Sequence, residues 1–169
     1  MNRRCKYVLA FTILLLAQHH VRAQESSYNE LQAIYIYNFA KYTSWPQQFD
    51  TFTIAIFDDA EMHKVISQKL ADKTIKGKPI DVKLIYSVTE ADGHQLIYLN
   101  NKHSRTLTEV LNNYRQQNIL IVTENDLIKK GAMISFLVIG NKLRFKINPA
   151  ALKDKELTAS EGLLSLALN

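Results

Sequence analysis

The sequence predicts an α/β fold, a three-layer sandwich with a mostly parallel sheet and an antiparallel hairpin near the C-terminus. Two observations carry this. The runs "HQLIYLN" (His94–Asn100) and "NILIVTE" (Asn118–Glu124) are almost continuously apolar, and a helical stretch separates them. Continuous rather than alternating apolar strands are covered on both faces, as parallel strands joined by helices are. The segment "AMISFLVIGNKLRFKIN" (Ala132–Asn148) holds two β-rich runs around Gly140-Asn141, a two-residue hairpin signal.

The first element is expected to be removed. Arg3, Arg4 and Lys6 precede the apolar run "YVLAFTILLLA" (Tyr7–Ala17), and "VRA" (Val21–Ala23) follows. A basic start, a short apolar stretch and small residues describe a secretory signal peptide over residues 1–23. The apolar run is shorter than the roughly 20 residues a membrane span needs. Residues 24–169 then form a single domain without a linker, an internal repeat or a low-complexity tract. Its charge is nearly balanced. The whole chain has 21 basic and 16 acidic side chains. Arg3, Arg4, Lys6 and Arg22 leave with the signal, so the net charge falls from +5 to +1. That balance gives no support for nucleic-acid binding. Cys5, the one cysteine, leaves as well, so neither disulfides nor thiol chemistry are expected in the mature chain.

The stretch Ser27–Thr43 reads as a helix. Leu31, Ile34, Tyr35, Asn38, Tyr42 and Trp45 recur at spacings of three or four, while Ala33, Ile36, Tyr37 and Ala40 fill much of the opposite side. A helix apolar on most of its surface is docked on two sides. Pro46 excludes Trp45 from helical geometry and ends the element. Thr51–Phe57 reads as a strand, Asp58–Lys73 as a helix striped by Met62, Val65, Ile66 and Leu70, and Pro79–Ser87 as a second strand. Ser104–Gln117 is a helix striped by Leu107, Val110, Leu111 and Tyr114. Thr158–Leu168 closes the chain as a short helix.

Motifs for chemistry are sparse. The five glycines make neither GxGxxG nor a GK[ST] phosphate loop, and no GxSxG elbow occurs. His63, His94 and His103 lack the spacing of a helix-borne metal pair. In "FDDAE" (Phe57–Glu61), two aspartates stand at the end of a strand, where parallel sheets bind ligands. The favoured reading is a helix cap, Asp58 with Glu61, over a Mg²⁺ site. Thr158 and Glu161 fit a second capping box. Gly162, costly inside a helix, reads as a point of close packing. Asn148 is expected to cap a short helix that Pro149 begins.

Several separated stretches resemble the YfiR family of periplasmic proteins. "AIYIYNFAKYTSWP" (Ala33–Pro46) is similar to its aromatic helix followed by Asn-Phe, a lysine and Trp-Pro. "FTIAIF", "QLIYLN" and "ILIVTEND" resemble its strands, "GAMISFLVIGNKLRFKINPAAL" (Gly131–Leu152) its Gly-Met-Ile strand and Ile-Asn-x-x-Ala segment, and "LTASEGLLSLA" (Leu157–Ala167) its closing helix. On these matches Asn38, Phe39, Pro46, Gly131, Asn148, Leu163 and Leu164 carry the family pattern and are expected to be structural. The chain departs from it in lacking the cysteines of many members and in having Glu161-Gly162 where a serine and a basic residue are common.

The resemblance implies a non-enzymatic periplasmic regulator without a cofactor. The best-understood member represses a membrane diguanylate cyclase by binding its periplasmic sensor region, and its release raises cyclic di-GMP and promotes biofilm formation. The implied partner is therefore an inner-membrane sensor, a diguanylate cyclase or a histidine kinase, with no stable membrane insertion of this chain. A homodimer stays open. Within the aromatic run, Tyr35, Phe39 and Trp45 are read first as core, because large rings bury the most area. Tyr37, Tyr42 and Trp45 are the candidates for the partner surface, because the run has rings on more than one face and tyrosine is enriched at interfaces. Asn38 is expected to hydrogen-bond a buried loop. The alternative function is a small-molecule receptor, with a cleft at the strand ends near Asp58, Asn100 and Thr123.

Overall fold

The computed structural model describes residues 28–168; the expected signal peptide lies outside them. Helix α1 covers residues 28–41. A short strand β1 (Thr43–Ser44) follows, and then β2 (Phe52–Phe57), α2 (Ala60–Leu70), β3 (Thr74–Ile75) and β4 (Lys78–Ile85). Next come β5 (Leu96–Leu99), α3 (Leu107–Asn113), β6 (Leu120–Thr123), β7 (Ile134–Ile139) and β8 (Lys142–Ile147). The chain closes with α4 (Pro149–Lys153), β9 (Thr158–Ala159) and α5 (Glu161–Leu166).

Seven strands form one sheet in the order β3-β4-β2-β5-β6-β7-β8. β4, β2, β5, β6 and β7 run parallel, while β3 and β8 are antiparallel to their neighbours. From β2 the chain crosses to β4 through α2, and from β5 it crosses the other way to β6 through α3. Crossovers of one hand that step in opposite directions place their helices on opposite faces, which makes the sandwich three-layered. α1 lies beside α2: Glu30 pairs with Lys69 at 2.8 Å, and Asn29 donates to Glu61 at 3.4 Å.

Alternation along each strand sorts the core. Ile54, Ile56 and Tyr98 face α1 and α2, while Ala55, Ile97 and Leu99 face α3; all six are buried. The central strands β5 and β6 have no exposed position, which accounts for their unbroken apolar runs. Gly140 and Asn141 both take positive φ, 54° and 59°, the geometry of a type I′ turn. That turn sets Phe136 opposite Phe145.

Three local expectations shift. The cap of α2 is Asp59, not Asp58: its Oδ1 accepts from the Met62 N–H at 2.9 Å. Asp58 instead bends the chain in a left-handed conformation, φ 42°, with its own N–H given to the Ile85 carbonyl at 2.8 Å. Thr158 does not cap the last helix. It pairs with Ser44 in the β1–β9 ribbon, and Ser160 takes over, accepting from the Leu163 N–H at 3.2 Å. Gly162 is not closely packed, since a Cβ built there meets nothing within 4 Å. Asn148 does cap α4, its Oδ1 accepting from the Ala151 N–H at 3.0 Å, with Pro149 at the first position.

Candidate interaction surface

The aromatic run is divided between the two sides of α1. Phe39 is fully buried and meets Phe136 and Phe145 at ring-centroid distances of 5.4 and 4.9 Å. Tyr35, half-buried, stacks on Phe39 at 5.9 Å and meets Phe145 at 5.5 Å. These four rings fasten α1 to the β7–β8 hairpin.

Trp45 lies beyond the helix and turns back. Its indole N–H donates to the Ala40 carbonyl at 3.1 Å, its ring packs edge-on against Phe52 at 5.0 Å, and only 5% of the residue is exposed. Pro46 directly after it is exposed. Of the three partner candidates, Trp45 therefore serves the core in the free chain. Tyr37 is half-buried, and its hydroxyl donates to the Thr74 carbonyl at 3.4 Å. Tyr42 is 46% exposed, with the Lys41 ammonium 5.4 Å from its ring centroid.

Tyr42 borders a cleft between α1, β8 and α5, with a volume of about 340 Å³. Tyr35, Asn38 and Tyr42 form one wall, Leu163 and Leu166 the other, and Phe145 the floor. The β1–β9 ribbon and the bond from the Ser160 N–H to the Tyr42 carbonyl, 2.9 Å, fix α5 against the end of α1. Leu163 is the buried anchor of α5, whereas Leu166 is 66% exposed at the mouth. Gly162 also lines the cleft, and its missing side chain keeps that wall low. Leu31 and Ile34, both exposed, extend the apolar stripe along α1. Asn38 half-faces this cleft, and its amide makes no hydrogen bond among the described residues; it does not reach a buried loop.

A second depression, about 420 Å³, opens at the C-terminal ends of the parallel strands, lined by Asp58, Asp59, Asn100 and Glu124 among others. Asp58, Asp59, Asn100 and Glu124 are already engaged in the fold. Both Asp59 oxygens are used, one by the α2 cap and one by the Asn100 amide at 3.1 Å. Asp58 pairs with the His103 ring at 3.2 Å, and Glu124 accepts from the Asn101 N–H at 2.6 Å. Thr123 is buried and does not join: its hydroxyl donates to the Asn125 carbonyl or shares a proton with Ser135 at 2.7 Å. Beneath this rim Tyr98 is buried against α1. Burial pushes its phenol well above the usual tyrosine value, and the charges of Glu124 and Asp59 push it further. Among the described residues no three His, Cys, Asp or Glu side chains are grouped to hold a metal.

The remaining motif positions have structural surroundings. Gly131 holds φ 100°, and a Cβ there would stand 2.9 Å from a Leu111 methyl. Leu164, 37% exposed, faces away from the cleft toward the other side of α5. What sequence reasoning missed is the role of α5. Leu166 carries no signal that separates it from Leu163, since both fit one apolar helical pattern.

An α/β sandwich with a settled polar rim and an open apolar cleft is the class of domain these features define. The chain belongs to the YfiR/HmsC-like family, whose model matches residues 29–168. A search of curated proteins finds no match.

Proposed function

We propose that this protein is a non-enzymatic periplasmic regulator that docks on the periplasmic sensor region of an inner-membrane signalling protein, a diguanylate cyclase, and restrains it. Membership of the YfiR/HmsC-like family carries this reading. The stripe of Leu31, Ile34 and Tyr42, continued by Leu166 across the cleft, supports it with a surface of the right kind. No helix among the described residues is long and apolar enough to cross a membrane.

Restraint requires the regulator to bind the inactive sensor more tightly than the active one. Reversing a population from 1:99 to 99:1 takes about 5.5 kcal/mol of differential affinity. Burying one large apolar side chain supplies about 1.5–3 kcal/mol. A few residues of the α1 stripe, engaged in one state only, are therefore enough.

The test is capture from detergent-solubilised inner membranes with the purified domain, beside Tyr42→Ala and Ile34→Ser. The expected result is recovery of a membrane protein with a cytoplasmic signalling domain, weakened at least tenfold by either change. Repeated recovery of none by the wild-type domain overturns the reading. The receptor alternative draws on one observation, the polar depression at the strand ends, where open α/β sheets bind ligands. A saturable rise in melting temperature with a metabolite, lost in Asn100→Ala, would favour it.

A further inference from the structure

We propose that a second groove, on the far side of α5, receives an acidic peptide segment of the docking partner. The inference rests on the docking reading and names the chemistry of the segment that docks. The groove has a volume of about 840 Å³ and lies between α5 with the chain end after it, β8, and the turn Ile128–Lys130. Ile128, Ile147, Leu164 and Leu168 give it an apolar lining, and Lys129 and Lys130 stand over it.

The charge here is uncompensated. Lys146 also lines the groove, but it is matched by Asp126 at 2.8 Å. Lys129 and Lys130 are exposed and make no ion pair among the described residues. Arg144 and Lys142 share the face of β8 that carries Lys146, by the two-residue period of a strand, and neither has an acidic partner among the described residues. Across from them on β7 stand Leu137 and Ile139, the latter 54% exposed. Cations on an edge strand guard it against stray pairing, which accounts for Arg144 and Lys142. Lys129 and Lys130 are not on a strand, and that reason does not reach them. In a mature chain of net charge near +1, this is a local concentration of positive charge above apolar surface.

Two features select a peptide. The apolar lining is recessed, so a flat lipid surface does not reach it while a chain does. β8 is also the outer strand of the sheet, and Leu168 covers only its Phe145–Lys146 end. Among the described residues nothing pairs with the outer edge at Leu143, so a segment whose own acids neutralise Arg144 and Lys142, the cations that otherwise guard this edge, can continue there and add a strand. Glutamates or aspartates alternating with apolar residues match the lysines and the lining together.

The test uses defined probes: a fluorescein-labelled peptide alternating glutamate with leucine, its lysine–leucine counterpart, and phosphatidylglycerol vesicles. The expected result is anisotropy binding of the glutamate peptide alone, weakened about tenfold or more in K129E/K130E and by added salt. K64E/K73E on the α2 side, with the same change in net charge, leaves binding intact. Equal binding of the lysine peptide, indifference to K129E/K130E, or displacement of the peptide by the vesicles overturns the proposal. Membrane capture separates the two readings. Undiminished capture by K129E/K130E sinks the groove and leaves docking standing. Failed capture by the wild type, with peptide binding intact, sinks docking and leaves the groove as an acidic-peptide site without that membrane partner.

Discussion

The polar depression at the strand ends and the apolar cleft between α1 and α5 are similar in size and opposite in state. In the first, the acidic groups are spent on the fold: Asp59 caps α2 and holds Asn100, Asp58 holds His103, and Glu124 holds a backbone N–H. In the second, little is spent. Tyr42 and Leu166 present apolar surface, and Gly162 leaves room. Position in the fold alone would nominate the strand ends. Counting what each side chain already does nominates the cleft. A group engaged in a cap must give up that bond to serve a ligand, whereas exposed apolar area is available without loss.

The comparison can be broken or sharpened by substitutions. The largest expected effect is Phe39→Ala, which removes the buried ring fastening α1 to Phe136 and Phe145. Stability should fall by about 3–5 kcal/mol in urea unfolding, and the cleft wall should go with it. Asp59→Ala should cost about 1–2 kcal/mol, because the α2 N-terminus and Asn100 both lose a partner. Partner capture, measured under conditions where the variant is folded, should be unchanged. A loss of capture there would return the strand ends to contention.

Alkaline titration examines the buried phenol beneath the polar depression. Tyr98 keeps its proton in the fold at pH values where an unfolded tyrosine, near 10.0, has lost it. The folded state then binds more protons, so stability falls as pH rises through and above that value, by at most about 1.4 kcal/mol per pH unit for one group. Tyr98→Phe should flatten this part of the slope, read by urea unfolding on either side of pH 10; an unchanged slope would mean that Tyr98 is not sealed from solvent.

Gly162→Ala should raise stability by about 1 kcal/mol, since the site is helical and open, while weakening capture by filling the cleft wall. Higher stability with full capture would show that the low wall is not used. Tyr42→Ala should change stability least, by roughly 0.5 kcal/mol or less, yet should lower capture strongly. That pairing of small thermodynamic and large binding effects is the opposite of what Asp59→Ala predicts.

Much of the fold was legible because its determinants are local. Gly140-Asn141 makes a turn whatever surrounds it, since both residues tolerate positive φ. Asn148 caps α4 within three residues of itself. The apolar strands announced a doubly covered sheet because no other arrangement hides them. The site was less legible. Asp58 and Asp59 both end a strand and precede a helix, and the choice between them was made by the Ile85 carbonyl, which draws the Asp58 N–H into β4's end. Thr158 fitted a capping box until Ser44 paired with it from across the chain.

By itself the sequence determined the order of the longer helices and strands, the hairpin, the α4 cap and the family pattern, but not the two-residue strands β1, β3 and β9, because periodicity and turn chemistry act over a few residues. The tertiary structure alone decided which rings of one aromatic run are core and which are surface. Trp45 is hidden because the chain bends back to Ala40 and onto Phe52, whereas α5, docked from a distant part of the sequence, begins at the Tyr42 carbonyl and leaves the Tyr42 ring exposed. Exposure is set by neighbours distant in sequence, and a helical stripe does not name them.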